Sequence, residues 1–223
     1  MAISYPLNTP TTIGIESIEL RAVNAVATSQ SPFTYKQQVV SHTGQKWEAS
    51  VTIPSVRRDK AAEWKAMLVA LKGQAGTFLL GDPDYASPRG TVSSCSVTGN
   101  AGDETVDVIM TGSLLAGDYI QLGSGSAAKL HQVLIDQTGD GQLEIWPALR
   151  SDYSSQTAVT DSPKGVFRLN QNISSWSIKS TISNMVDTWI KDFGLMAAYY
   201  GLELILSQKG ENFFPKVMQS QRC

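Results

Sequence analysis

The chain has 223 residues, 42% of them hydrophobic and 17% charged, with a formal net charge of −2. The apolar share supports a packed core in one large domain or two small ones, and the charged share falls below the roughly 25% usual for soluble domains, the composition of a surface partly covered by partner subunits. The charge balance argues against a nucleic-acid-gripping protein, which carries a basic face; the longest basic cluster, Arg57, Arg58 and Lys60, reads as a solvated helix start.

The first elements are strands. In SPFTYKQQVV, Phe33, Tyr35, Gln37 and Val39 fall on one face; in KWEASVTIP, Trp47, Ala49, Val51 and Ile53 alternate with polar residues, a period of two. His42-Thr43-Gly44-Gln45 joins the two runs, which predicts a hairpin of Ser31–Val40 and Lys46–Pro54. Residues 13–27 add a strand of less regular period.

Helical spacing follows. Ala61, Trp64, Met67, Leu68 and Leu71 form one stripe, which predicts a helix over 59–72. Asp59 is placed to cap its N-terminus, Lys72 sits in its last turn and Gly73 fits the position just past its end. Thr77–Leu80 reads as a short strand, and Gly81–Gly90, with Pro83 and Pro88, as a loop and domain boundary.

From 90 to 162 the chain is rich in Gly, Ser, Thr and Val. Short strands TVSSCSVT, TVDVIMT, DYIQLG, KLHQVLID and QLEIWPAL recur with the rhythm of a small β-barrel or sandwich. Asp140-Gly141 is predicted as a two-residue hairpin turn. Val166–Leu169 and Ser175–Lys179 return to the first rhythm. The sequence therefore predicts a mainly β protein: a β-sandwich with one amphipathic helix over 1–89 and 163–184, and an inserted small β domain over 90–162. Within 185–223, Val186, Trp189, Ile190 and Phe193 suit a helix, while Leu202, Leu204 and Leu206 suit a strand.

Candidate chemistry is sparse. The two histidines, His42 and His131, have no Cys or carboxylate at ligand spacing, and no Gly-x-Ser-x-Gly elbow is present; Gly123-Ser124-Gly125-Ser126 reads as a turn. Asp136, Thr138 and Asp140, with Gly141 in the sixth place, imitate the start of a calcium loop, but Pro147 stands where the closing ligand belongs. Asp82, Asp84 and Tyr85 lie in a Pro-rich loop open to a ligand or a linker role. Trp47, Trp64, Trp146, Trp176 and Trp189 read mainly as core residues rather than as a sugar-stacking surface. No catalytic, cofactor-binding or metal-binding residue is assigned, and the expectation is a protein that is not an enzyme.

Cys95 and Cys223 support neither a zinc site nor a disulfide framework, which fits a reducing compartment. MAISYPLNTP lacks the basic and apolar regions of a signal peptide. The most apolar stretch, Phe193 to Leu206, is broken by Gly194, Gly201 and Glu203, short of the ~20 residues of a membrane span. The expectation is a protein neither secreted nor membrane-embedded.

The order of elements is itself informative. KWEASVTIP is followed by AAEWKAMLVALKG, then GTFLLGDPD, SPRG, AGDYIQL, GDGQLEIWPALR and FRLNQNISSWSIK. Over roughly residues 10–182 this resembles a family of tailed-bacteriophage structural proteins, the distal tail proteins. The resemblance implies a virion protein assembled in the host cytoplasm. It implies a homo-hexameric ring between the tail tube protein and the hub, tip or baseplate proteins, with genome DNA passing through the lumen without specific binding. Residues 1–89 and 163–184 would match the ring domain and 90–162 a peripheral attachment domain; the stretch after Met185 departs from the pattern. The alternatives are a tail tube subunit of the same plan, a carbohydrate-binding module exposing Trp146 or Tyr153, and, least favoured, a small hydrolase using His131.

Overall fold

The computed structural model describes residues 3–176. Residues 1–172 form one compact unit; the second unit starts at Ile173, and its described residues, 173–176, have no regular secondary structure. The predicted strand Ser175–Lys179 lies mostly outside the described residues, and the 185–223 readings entirely so.

The strands are β1 (Leu7–Asn8), β2 (Ser17–Gln30) and β3 (Gln37–Thr52), followed by helix α1 (Arg58–Ala70) and β4 (Phe78–Leu80). Then come β5 (Ser94–Gly99), β6 (Thr105–Thr111), β7 (Ser113–Leu114), β8 (Tyr119–Leu122), β9 (Lys129–Val133), β10 (Gln137–Thr138), β11 (Gly141–Trp146), β12 (Tyr153–Thr157) and β13 (Gly165–Phe167). The protein is mainly β, with one α-helix and several sheets among the described residues.

The first hairpin differs from its prediction. The two predicted arms do not pair: Gln37 to Thr52 is one strand, paired antiparallel with β2 from Ser17↔Thr52 to Gln30↔Gln37. The residues expected to turn, His42–Gly44, form a bulge. Between Asn24↔Gln45 and Val26↔Ser41, Ala25 alone stands opposite His42, Thr43 and Gly44. Glycine suits this crowding, because a Cβ at Gly44 would lie 3.0 Å from that of Ala25. The true turn lies in Ser31–Lys36, where Phe33 and Tyr35 were expected in a strand. Ser31 Oγ accepts from the Phe33 and Thr34 amides, at 3.4 and 3.3 Å, and Tyr35 adopts φ 55°.

Helix α1 follows its predicted stripe. Trp64, Met67 and Leu71 are buried, and they cluster with Ile13, Tyr5, Leu7, Ile53, Phe78 and Leu169. Its ends differ from expectation. Arg57, not Asp59, holds the N-cap position and makes no side-chain cap; Asp59 sits within the first turn, where its charge favours the helix dipole. At the other end Lys72 takes the left-handed conformation (φ 51°) ahead of Gly73 (φ 66°). The Tyr5 hydroxyl donates to the Ala70 carbonyl at 2.5 Å, satisfying one of the carbonyls that a helix end leaves open.

β4 sits between β1 and β13. It pairs parallel with β1 and antiparallel with β13, Leu80 opposite Gly165. The chain thus leaves through β4 and returns alongside it. The intervening residues build a six-stranded sheet in the order β12-β5-β6-β11-β9-β8. Gln121 of β8 and Val159, just past β12, exchange backbone hydrogen bonds of 2.8 and 2.9 Å, which joins the two edges. The cluster inside, from Cys95 and Val97 through Leu143, Ile145 and Leu149 to Ala158, is separate from that around α1. The predicted Asp140-Gly141 hairpin is not formed: β10 pairs with β7, and β11 with β6 and β9. The chain changes sheet there, and the Asp140 carboxylate accepts the Met110 amide at 2.8 Å.

Candidate functional site

The β2–β3 hairpin is divided by its surroundings. At its base Ile18, Leu20, Gln45, Trp47, Ala49 and Val51 are half-buried on alternate positions, as a one-sided sheet requires. At Asn24 and Gln45 the hairpin is fastened to the six-stranded sheet. Trp146 Nε1 donates to Asn24 Oδ1 at 2.7 Å, and Trp47 Nε1 to the Leu130 carbonyl at 3.0 Å. Gln45 accepts the Ala148 amide at 2.7 Å, donates to Glu104 at 2.6 Å, and offers its carbonyl to Arg150. The rings of Tyr85, Tyr119, Trp47 and Trp146 continue the seam in a chain of tilted and edge-to-face contacts.

Beyond that fastening the character changes. Every residue from Asn24 to Gly44 is exposed except Ser31, so the outer hairpin is bare on both faces. Val26, Val39 and Val40 are 49%, 57% and 46% exposed, and Phe33 and Tyr35 at the tip 92% and 74%. β2 and β3 pair only with each other, leaving the outer edge of each strand without a ladder partner among the described residues. This arm offers two open edges and a set of apolar side chains, the means by which sheets join other chains.

The two histidines and the acidic run singled out for chemistry lie on separate elements. His42 is exposed in the bulge, while His131 is fully buried in β9, its Nδ1 2.7 Å from the Pro147 carbonyl oxygen. Burial pushes the His131 pKa down to about 4. In the calcium-like run, Asp136 accepts the Ala116 amide at 2.7 Å and Asp140 that of Met110, so one oxygen of each carboxylate is held by a backbone donor. Among the described residues no three His, Cys, Asp or Glu side chains are grouped to hold a metal. Asp82 accepts the Asp84 amide at 3.0 Å, and the Tyr85 hydroxyl accepts the Tyr119 amide at 3.1 Å. Trp146 and Tyr153 are half-buried, the first against Trp47 and the second against the sheet's core. Gly125–Ala127, inside the Gly/Ser turn, forms a short 3-10 helix. Cys95 is buried, and the apolar surroundings push its thiol up to about 11, away from reactivity.

No protein-family model matches the chain, and no curated protein matches it. No helix among the described residues is long and apolar enough to cross a membrane.

Sequence reasoning missed two features. One is the arm, hidden because the bulge at His42–Gly44 imitates a turn. The Ser31-Pro32 pair was the signal for the real turn, since Ser and Pro favour turn initiation. The other is Asp118, fully buried, whose carboxylate accepts the amides of Leu115, Arg89 and Gly90 at 2.9, 3.0 and 3.3 Å. In the sequence, a Gly-Asp pair such as Gly117-Asp118 signals a turn and nothing of this burial.

Proposed function

We propose that this chain is a structural protein of a bacteriophage tail: a distal tail subunit that forms a ring between the tail tube and the hub or tip proteins and serves as an attachment platform. The observation that carries the reading is the bare arm from Asn24 to Gly44. A two-stranded hairpin alone is marginally stable in water, and one that exposes Val26, Phe33, Tyr35, Val39 and Val40 is suited to a surface supplied by another subunit. A closed ring uses two patches of one chain, each meeting the other on its neighbour. The arm is one such patch, and the open edges of β2 and β3 supply unpaired backbone groups for it. The order of sequence elements supports the same reading, as does the near-neutral net charge, which suits a lumen that DNA crosses without being held.

The test is mass photometry with negative-stain imaging of the purified protein. Six-fold rings, single or back to back, are the expected result. Long stacked tubes would make the chain a tail tube subunit instead. A stable monomer at high concentration, with tail tube and hub proteins also present, would overturn the reading.

A further inference from the structure

Away from the arm, residues of β3, β9 and β13 line a cleft of about 720 Å³. Its wall holds four cations, Lys46, Lys129, Arg150 and Arg168, and no carboxylate. In a chain of net charge −2 this is a local concentration of positive charge.

Three of the cations, Lys129, Arg150 and Arg168, have no carboxylate partner among the described residues, and the fourth, Lys46, is paired with Glu48. Arg168 Nη1 donates to the carbonyls of Gln74 and Ala75 at 2.8 and 3.0 Å, and Arg150 donates to the carbonyl of Gln45. Neutral acceptors of this kind fix a guanidinium in place while leaving its charge available. Lys46 has Glu48 at 2.7 Å, but both side chains are largely exposed, and such a pair contributes little. Lys129 has no carboxylate within salt-bridge distance among the described residues.

The same wall contains His131. The Pro147 carbonyl can only accept, so the proton of the neutral imidazole sits on Nδ1 and Nε2 carries a lone pair. That Nε2 is buried and has no hydrogen-bond partner. With no exposed surface, this nitrogen is out of reach of a molecule in the cleft, so the surface offered to a ligand is that of the cations and the aromatic rings. Burial keeps the ring neutral, and Lys129 and Arg150 act in the same direction. Trp47 and Phe167 add aromatic surface.

We propose that this cleft binds one small organic anion, an acidic or phosphorylated sugar, with the cations taking its anionic group and the Trp47 and Phe167 rings packing against the sugar body. The volume falls within the 300–1,000 Å³ that small ligands fill. A nucleic-acid duplex, with a phosphate about every 3.4 Å along each strand, needs a longer basic track than one cleft. The proposal stands apart from ring formation, because binding is measured whatever the assembly state.

The experiment is calorimetric titration of the full chain with glucose 6-phosphate and with digalacturonate, following tryptophan fluorescence in parallel because Trp47 lines the cleft. At least one of the two anions should bind, more weakly as salt rises. Glucose should not bind, and inorganic phosphate should bind less well than the better sugar anion. Lys129→Gln should weaken binding about fivefold or more, and Lys129→Arg should restore it; Lys46→Gln gives a second reading at an exposed position. Tighter binding of longer oligogalacturonates would identify a polysaccharide chain as the source, and length-independent binding a free small sugar; either supports the site. The proposal is overturned if neither anion binds, if glucose binds as well as its phosphate, or if Lys129→Gln and Lys46→Gln both bind normally. Tighter binding of a short DNA duplex, lost in Lys129→Gln, would overturn it in favour of a nucleic-acid face.

Discussion

Trp47 and Trp146 meet edge to face, ring centroids 4.5 Å apart and planes at 90°, and this contact fastens the long hairpin to the six-stranded sheet. Each indole N–H also bonds across the seam, Trp146 to Asn24 and Trp47 to Leu130. Replacing either ring with Ala should destabilise the protein by about 3 kcal/mol. The double variant should cost less than the sum of the two, by about 0.5–1.5 kcal/mol, because the pair is lost only once. Urea unfolding of the four proteins measures this coupling; strict additivity would show that the rings act independently.

The outer arm should behave in the opposite way. Phe33 and Tyr35 are 92% and 74% exposed, so Phe33→Ser with Tyr35→Ser should change stability by no more than about 0.5 kcal/mol per site. On the proposed ring, the same changes should abolish or weaken assembly. Thermal melting paired with mass photometry reads both effects on one sample. A variant that melts like the parent and still forms rings would remove the tip from the subunit contact.

The regular parts of the fold were legible because burial repeats with the element's own period. TVDVIMT matched β6 residue for residue, with Val106, Val108 and Met110 buried on alternate positions, and the α1 stripe lay where its spacing put it. What stayed hidden depended on contacts between distant segments. No local pattern tells that Gln45 bonds to Glu104 and Ala148, that β10 turns to β7 instead of β11, or that Ala25 faces three residues. The bare arm was misread because Phe33, Tyr35, Gln37 and Val39 repeat with a strand's period although all four are exposed, and because the bulge at His42–Gly44 imitates a turn. The cleft was invisible because Lys46, Lys129, Arg150 and Arg168 come from four separate parts of the chain.

Asp118 is a test of buried polar organisation. Its carboxylate accepts three backbone amides and lies 3.5 Å from Arg89 Nε, with the Asp118 side chain fully buried. Asp118→Asn keeps one acceptor oxygen but turns an NH2 group toward the remaining donors. The expected cost is about 2–4 kcal/mol, since donors left unpaired in the interior carry their full desolvation penalty. The far-ultraviolet spectrum should stay β-type while the melting temperature falls. An unchanged melt would show that water reaches the Arg89–Gly90 amides.

His131 gives the protein a defined acid response. Its pKa is pushed from the usual 6.5 down to about 4, chiefly by burial, with Lys129 and Arg150 adding to the effect and the Pro147 hydrogen bond opposing it. Above about pH 6.5 the imidazole is neutral in both the folded and unfolded chain, and the stability is fully present. As pH falls below 6.5 the unfolded chain takes up the proton first, so folding loses stability until the folded pKa is reached near pH 4. The loss over that window is on the order of 3 kcal/mol. Carboxylates titrate in the same range, so the informative quantity is the difference between parent and His131→Gln. The variant should start less stable at pH 7.5, having lost a fitted buried ring, and should decline less between pH 6.5 and 4. Denaturant midpoints at half-unit pH steps measure both curves; parallel curves would mean that His131 is protonated as readily in the folded protein as in the unfolded chain.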